Sequence, residues 1–272
     1  KLPFVIPIAV GLLSPNGDEV VPTTLLEMTE ATQSFSFSGL GARPIPSILR
    51  EFSAPVILKQ DQSDATRAFL LAHDTDPFNR WEAGQRLALR SALAFIQSSA
   101  EPAGAQVLNA AYVQAMRTLL RDPQLDAAFK ELVLTLPSET YLAEQLSVVD
   151  PLRIHQVRQA MRMQLARELQ PIWEQVYATH RTRGTFSIDT QAMGSRALAN
   201  MALLHLCMAN TQASSSDWPD QALHAFKGAT NMTDRMGAVN ALVQAQHPHA
   251  QTALAQFHSL FAREELVIDK WF

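Results

Sequence analysis

The chain has 272 residues, a formal net charge of −4 and a sequence pI near 6.1, and 47% of its residues are hydrophobic. This composition excludes a disordered chain and predicts one or two folded domains. A nucleic-acid-binding protein needs a basic face, so we expect no nucleic-acid partner. No apolar run reaches the roughly 18 residues that a membrane-spanning helix needs, so no membrane span is expected.

The single cysteine, Cys207, excludes a disulfide within the chain. A chain of this kind fits a reducing compartment, and we therefore expect a cytoplasmic protein. The first residues are apolar, with two prolines, and they carry neither an initiator methionine nor a cleavage signal. Both ends of the chain have the composition of core elements, which favours a fragment of a longer protein over a complete chain.

Residues 1–61 have the pattern of a small antiparallel β-sandwich. Apolar side chains alternate from Phe4 to Leu12, with the two-residue period of a half-buried strand. Asn16-Gly17 follows and is a strong hairpin signal, because both residues tolerate positive φ. A return strand is expected from Val20, and further strands are predicted at 25–28, 34–38 and 54–58.

Residues 62–272 have a helical period and are predicted to form an α-helical domain. Ser63 or Asp64 caps the first helix, and Asp76-Pro77 separates it from the second. Asp150-Pro151 opens the longest helix, which Pro171 should kink or split. Later helices are predicted near 106–121, 123–134, 138–148, 187–210, 217–228, 231–246 and 248–263.

Three of these helices share an Arg-Ala-Leu pattern at the same offsets. An alanine at the second position lets two helices approach closely, and the leucine four residues later packs on the same face. Stacked helix pairs need this arrangement, so the pattern favours a HEAT-like bundle; the alternative is a chance match, because Arg, Ala and Leu are common helix formers. The three sets are Arg80, Ala83 and Leu87; Arg196, Ala199 and Leu203; and Arg235, Ala238 and Leu242.

The histidines do not form a zinc-peptidase motif. Such a motif, His-Glu-x-x-His, places two imidazoles one turn apart on a helix beside a glutamate that activates water. His247-Pro248-His249 is the one histidine cluster, and a solvated turn between helices is favoured over a metal site because no third ligand is near. We therefore predict no catalytic, cofactor-binding or metal-ligating residue among His73, His155, His180, His205, His224, His247, His249, His258 and the rest of the chain.

Other short motifs have simple structural interpretations. Cys207 lies in an apolar helix, and a buried inert thiol is favoured over a Cys–His pair with His205, because residues two apart on a helix diverge. Asn231-Met232-Thr233 matches a glycosylation sequon but is favoured as a helix start, capped by Asn231 or Thr233.

Two glycine- or serine-rich segments also lack a predicted chemical role. Gly39-Leu40-Gly41 is too short for a phosphate cradle and precedes no helix. Ser214-Ser215-Ser216 has the composition of a linker, but a helix cap at Ser216 or Asp217 is the simpler interpretation.

Six segments, in this order and spacing, resemble the bacterial aminopeptidase N family of zinc metallopeptidases. The similarity runs over essentially the whole chain, and Phe52–Val56 and Asp269–Phe272 are its most specific parts. The segments are Pro46–Val56, Phe78–Ala83, Thr135–Glu139, Asp150-Pro151, Asn231–Asp234 and Ile268–Phe272.

The resemblance implies a place for this chain in a four-domain enzyme. Members of the family have an N-terminal β-domain, a thermolysin-like catalytic domain, a small immunoglobulin-like β-domain and a large helical domain. Residues 1–61 are similar to the third domain without its first strands, and residues 62–272 to the first part of the fourth. The zinc ligands would lie before Lys1, so one zinc ion is expected in the parent enzyme and no cofactor in this chain.

Two functions follow as expectations. The resemblance implies a parent that removes N-terminal residues from peptides, within which this chain is an inactive β spacer and a helical wall over the catalytic cleft. Its partners would then be the catalytic domain of the same parent and, through the parent, short peptide substrates. The alternative is a non-enzymatic helical-repeat scaffold that binds a protein partner, which the composition allows.

Overall fold

The computed structural model describes residues 4–182, 184–209 and 217–270, in which a three-stranded sheet precedes twelve α-helices. The predicted fold class, a small antiparallel β-structure followed by a helical stack, is confirmed. The strands are β1, Ile6–Leu13; β2, Glu19–Met28; and β3, Ile45–Ile48. Their order is β2-β1-β3, and both pairings are antiparallel.

The hairpin between β1 and β2 forms where the sequence predicts it. Gly17 has φ +97°, which its missing side chain permits, and its N–H donates to the Ser14 carbonyl at 2.9 Å. β1 is the central strand, and its residues from Ala9 to Leu13 are all buried. The two strands expected at 20–21 and 25–28 are one continuous strand.

Two predicted strands do not form, and both predictions are wrong for a local reason. Ser34–Ser38 alternates in sequence, but the segment is largely exposed and pairs with no described strand. At 54–58 the Val56 N–H donates to the Ala54 carbonyl at 2.9 Å, so the chain turns tightly around Pro55. Alternation alone does not make a strand without a neighbouring strand to receive its hydrogen bonds.

The helices follow the predicted pattern closely, apart from a final short helix that the sequence did not indicate. Their bounds are α1, Asp64–His73; α2, Pro77–Gln97; α3, Ala110–Arg121; α4, Ala127–Leu134; α5, Glu139–Glu144; α6, Pro151–Glu168; α7, Gln170–His180; α8, Thr190–Ala209; α9, Trp218–Gly228; α10, Met232–Gln244; α11, His249–Phe261; and α12, Glu265–Ile268.

Side-chain caps set several helix starts. Ser63 accepts from the Thr66 N–H, and Asn231 accepts from the Asp234 N–H, as expected for N-caps. Asp217 caps α9, while the alternative cap Ser216 and the rest of the predicted Ser214–Ser216 segment lie outside the described residues. These caps satisfy donors that no helical carbonyl can reach.

Pro171 splits the helix that opens at Pro151. A proline has no N–H to donate, so the helical ladder is interrupted and Leu169 adopts φ −110° and ψ 9° between α6 and α7. The 21-residue helix α2, rather than the one after Asp150, is consequently the longest in the described part of the chain.

The chain divides into two compact units. One contains the sheet, α1 and α2 together with 108–119 and 133–154; the other contains 101–107, 120–132 and the described residues from His155 onward. The predicted domain division, 1–61 and 62–272, stays a prediction. Fully buried side chains form a core in each unit, around Leu87 and Met116 in the first and around Trp173 and Phe257 in the second.

The repeated Arg-Ala-Leu pattern has a shared structural role in two helix pairs. Arg80, on α2, donates from Nε to the Leu71 carbonyl at 2.8 Å, near the end of α1. Arg235, on α10, donates from Nη2 to the Ala229 carbonyl at the end of α9. In both pairs an arginine of the second helix supplies donors to the last carbonyls of the first. Arg196 instead stacks on the Phe186 ring, 4.7 Å from its centroid.

Candidate functional site: a buried arginine and a charged cavity

Arg50 lies near the middle of 46–56, one of the six segments that carry the family resemblance. Its side chain is almost entirely buried. The chain around it is strained, because Leu49, Glu51 and Phe52 have φ of 61°, 56° and 54°, in the left-handed region. Each such residue costs on the order of 1 kcal/mol or more, so the surrounding contacts must hold this turn in place.

Four polar side chains accept hydrogen bonds from the Arg50 guanidinium. Nε donates to Ser47 Oγ at 2.9 Å, and Nη2 donates to Asp74 Oδ1 at 3.1 Å. Nη1 donates to Thr23 Oγ1 at 3.0 Å and to a carboxylate oxygen of Glu19. These partners come from β2, β3 and the end of α1, so one side chain connects the sheet to the first helix.

The two carboxylates of this network differ in their electrostatics. Burial raises the pKa of Glu19, but hydrogen bonds from Arg50 and Thr75 outweigh burial and hold the pKa below its usual value. Burial also raises the pKa of Asp74, and its hydrogen bonds only partly offset that effect. Asp74 Oδ2 is buried without a hydrogen-bond partner, which explains why Asp74 is less well stabilised as an anion.

Another segment of the resemblance, 78–83, contacts the segment 46–56 here. Asn79 Nδ2 donates to Ser47 Oγ at 2.8 Å and to the Ile48 carbonyl at 3.0 Å. The Glu51 N–H donates to Asp76 Oδ2 at 3.1 Å. We call this cluster the arginine joint; it comprises Glu19, Ser47, Arg50, Asp74, Asp76 and Asn79.

The arginine joint holds elements together. The Arg50 guanidinium is committed to structural hydrogen bonds with Ser47, Thr23 and Asp74. Gly11 of β1 lies directly against it, and a Cβ there would overlap the guanidinium. In the sequence, the segment 46–56 stands out through its resemblance to the aminopeptidase N family. No local pattern in it indicates a buried arginine.

The histidines are dispersed, and no group of three or more His, Cys, Asp or Glu that could hold a metal occurs in the part of the chain that the structure describes. His247 and His249 flank the turn between α10 and α11, with ring centroids 4.6 Å apart. The His249 N–H donates to His247 Nδ1 at 3.2 Å. The cluster therefore forms a turn between helices, as predicted.

Cys207 and His205 are both buried, but each has its own environment. Burial raises the pKa of the Cys207 thiol to about 12, so it is not a nucleophile at neutral pH. His205 stacks on Trp173, with ring centroids 4.4 Å apart, and its Nδ1 lies 2.9 Å from the Met201 carbonyl. Burial lowers the pKa of His205 to about 4, so its ring is neutral.

A cavity of about 630 Å³ lies beside α7 and is lined by charged, polar and apolar side chains. Tyr177 and Arg181 contribute from the end of α7, and Asp220 and Asp234 from the first turns of α9 and α10. We call it the charged cavity. Its other described lining residues include Asn200, Leu203, His224 and Ala225.

Comparison with known families assigns both parts of the chain. Residues 1–61 match the family described as "Domain of unknown function (DUF3458) Ig-like fold", and residues 64–272 match "Domain of unknown function (DUF3458_C) ARM repeats". The chain therefore belongs to the DUF3458 and DUF3458_C families, an Ig-like domain followed by ARM repeats. None of its described helices has the length and apolar character that crossing a membrane would require.

Three curated relatives are all aminopeptidases N, which narrows the family assignment. Aminopeptidase N of Caulobacter vibrioides is 35% identical over 97% of this chain, and that of Escherichia coli is 31% identical over 100%. Aminopeptidase N of Haemophilus influenzae is 30% identical over 100% of the chain. The resemblance to bacterial aminopeptidase N is thus confirmed, and the chain spans only 30–31% of the length of these relatives.

A solved structure agrees with this assignment. The crystal structure of Legionella pneumophila aminopeptidase A in complex with aspartic acid superposes with a TM-score of 0.78 and 26% identity. The match covers 98% of this chain and 31% of that one. The fold described above is therefore a region found within larger aminopeptidases.

Proposed function

We propose that this chain is the Ig-like and helical region of a bacterial zinc aminopeptidase that removes N-terminal residues from peptides. Within that enzyme it serves as a β spacer and as a helical wall over the catalytic cleft. The observation that carries the proposal is the alignment of aminopeptidases N from three bacteria with 97–100% of the chain. Zinc, the catalytic domain and short peptides are the proposed cofactor and partners of the parent; its cytoplasmic location stays a prediction.

The arginine joint supports the spacer role. A spacer must hold its strands against the element that follows them, and Arg50 connects β2 and β3 to the end of α1 through hydrogen bonds of 2.9–3.1 Å. ARM-type helical stacks present broad surfaces from regular helices rather than loops, which suits a wall that contacts peptides of many sequences.

The first test concerns the chain by itself. We expect the purified chain to hydrolyse no aminoacyl-anilide, with or without added zinc, and to bind zinc only weakly and non-stoichiometrically. A catalytic zinc site needs about three protein ligands around one open position. Turnover by this chain that a chelator abolishes would contradict the proposal.

The second test distinguishes the wall from a scaffold. In the complete protein, a peptide substrate analogue with a photo-crosslinking group beyond its N-terminal residue should label helices of this region. Labelling confined to the catalytic domain would contradict the wall role. A coding sequence that begins near Lys1 and has no His-Glu-x-x-His segment upstream would favour the scaffold instead.

A further inference from the structure

The charged cavity brings together unlike charges that do not pair with one another. Arg181 is exposed at the end of α7, and its side chain forms no hydrogen bond or ion pair within the described residues. Asp220 and Asp234 line the same cavity, and neither is paired with Arg181 there. Asp220 instead forms an ion pair with His249, so the capacity of the cavity to bind a ligand depends on Arg181 and on the carboxylate oxygens that have no side-chain partner.

Each carboxylate contacts one neighbouring side chain that is not part of the cavity lining. Asp234 Oδ2 accepts from Asn231 Nδ2 at 2.8 Å, and Asp220 Oδ1 lies 2.5 Å from His249 Nε2. In both cases the structure gives a side-chain partner to one oxygen only. The second oxygen of each carboxylate therefore has the capacity to accept a hydrogen bond from a cationic donor.

Tyr177 lines the same cavity as Arg181 and Asp234. Burial raises the pKa of its hydroxyl, while the Arg181 charge lowers the pKa and the Asp234 charge raises it. The ring is fixed by an edge-on contact with Trp218, with centroids 5.7 Å apart. Tyr177 therefore lies within electrostatic reach of both a cation and an anion on the cavity wall.

We propose that the charged cavity binds a small zwitterion, with its ammonium group at Asp220 and Asp234 and its carboxylate at Arg181. Free amino acids and short peptides share this chemistry. The volume of about 630 Å³ accommodates either, since pockets for small ligands occupy roughly 300–1,000 Å³. Leu203 and Ala225 provide an apolar wall for the side chain of the ligand.

Binding to the unaltered chain is the primary test. Isothermal titration and amide NMR shifts would be measured with L-leucine, leucyl-leucine, N-acetylleucine and leucinamide at low ionic strength. We expect saturable binding of the zwitterions at millimolar concentrations, with shifts at the end of α7 and the first turns of α9 and α10. The analogues that lack either charge should bind about tenfold more weakly or not at all, because each loses a charge-assisted contact. Leucine and its dipeptide distinguish the two ligand sources.

Variants separate the site from general electrostatics. Arg181→Gln should weaken zwitterion binding about tenfold, whereas Arg263→Gln, an equal charge change at an exposed arginine beyond α11, should not. Circular dichroism would verify that both variants are folded. The proposal is overturned if no zwitterion binds saturably, if the capped analogues bind equally well, or if Arg181→Gln leaves the affinity unchanged.

Discussion

At the scale of single residues, Arg50 is the most consequential side chain of the first compact unit. It is buried with one fully buried carboxylate, Asp74, and one partly exposed carboxylate, Glu19. A buried ion pair adds little net stability by itself, because removing both charges from water costs as much as their attraction returns. Removing only one partner is different, since the remaining charge stays buried without compensation.

We predict that Arg50→Met destabilises the chain strongly. The substitution keeps an apolar stem of similar length but leaves the buried carboxylate of Asp74 without its cationic partner, which should cost about 3–5 kcal/mol. Urea denaturation followed by circular dichroism measures this loss. Arg43→Met removes the same charge from an exposed position of the same connecting region and should change the free energy of unfolding little. Equal stability of the two variants would show that the joint contributes nothing.

His205 gives the chain a defined acid sensitivity. Its pKa is lowered from 6.5 to about 4 in the folded chain, so the folded form excludes a proton that the unfolded form binds. Stability contributed by neutral His205 should therefore be complete above pH 6.5, fall as the pH drops toward 4, and then level off. The loss corresponds to about 3 kcal/mol, because a pKa difference of one between the folded and the unfolded chain is worth about 1.4 kcal/mol.

The variant His205→Phe isolates this effect from the carboxylates that titrate in the same range. Phenylalanine keeps a ring against Trp173 but cannot be protonated, so the free energy of unfolding should depend less steeply on pH between 6.5 and 4. His224→Gln, at an exposed histidine, should retain the slope of the original chain. Identical slopes for all three proteins would contradict a buried neutral His205.

At the scale of elements, the helices were the most predictable part of the chain. Capping residues such as Ser63 and Asn231 mark helix starts locally, and Pro171 interrupts the helical ladder wherever it occurs. Strands depend on partners that are distant in sequence, so the alternating segment at 34–38 gave a false signal. The length of β2, ten residues, was underestimated. Most of its residues are exposed, which obscures the two-residue period of a half-buried strand.

We predict that Gly194→Ala destabilises the second compact unit despite the higher helix propensity of alanine. A Cβ at Gly194 of α8 would lie 2.8 Å from the backbone nitrogen of Ala128, where α4 approaches it. Backbone cannot move aside as a side-chain tip can, and overpacking of this kind costs about 1–3 kcal/mol. That loss exceeds the roughly 1 kcal/mol that helix propensity returns. The midpoint of thermal unfolding should fall.

Gly228→Ala is the matched control for that experiment. Gly228 is the last residue of α9, and a Cβ there meets no atom within 4 Å. Alanine should therefore be neutral or should stabilise the chain by a few tenths of a kcal/mol, up to about 1. A fall in stability at Gly228 as large as that at Gly194 would mean that loss of glycine, rather than close packing, causes the effect.

At the scale of the whole molecule, the order of a β-region and a helical stack could be inferred from the sequence, but the sites could not. The carboxylate partners of Arg50, Asp74 and Glu19, lie 24 and 31 residues away in the sequence. No local periodicity therefore predicts that Arg50 is buried. The charged cavity is likewise assembled from the ends of α7, α9 and α10. Such clusters are determined by the packing of helices and strands against one another. Sequence patterns predict only whether each segment is a helix or a strand.

The family assignment also belongs to this scale, and it rested on segments rather than composition. Two of the segments, 46–56 and 78–83, meet in the arginine joint, where Asn79 Nδ2 donates to Ser47 Oγ at 2.8 Å. One of the two most specific parts, Asp269–Phe272, ends in Trp271 and Phe272, which lie outside the described residues.

The contact between Gly11 and Arg50 has a consequence for the history of this fold. A side chain at position 11 would expel the guanidinium, and loss of the guanidinium would leave a void beside the strand and a carboxylate with no counterion. Neither position can therefore change first without loss of stability. In diverging lineages the two should be replaced together or retained together, and a lineage that has changed only Gly11 should have rebuilt the turn at 46–56.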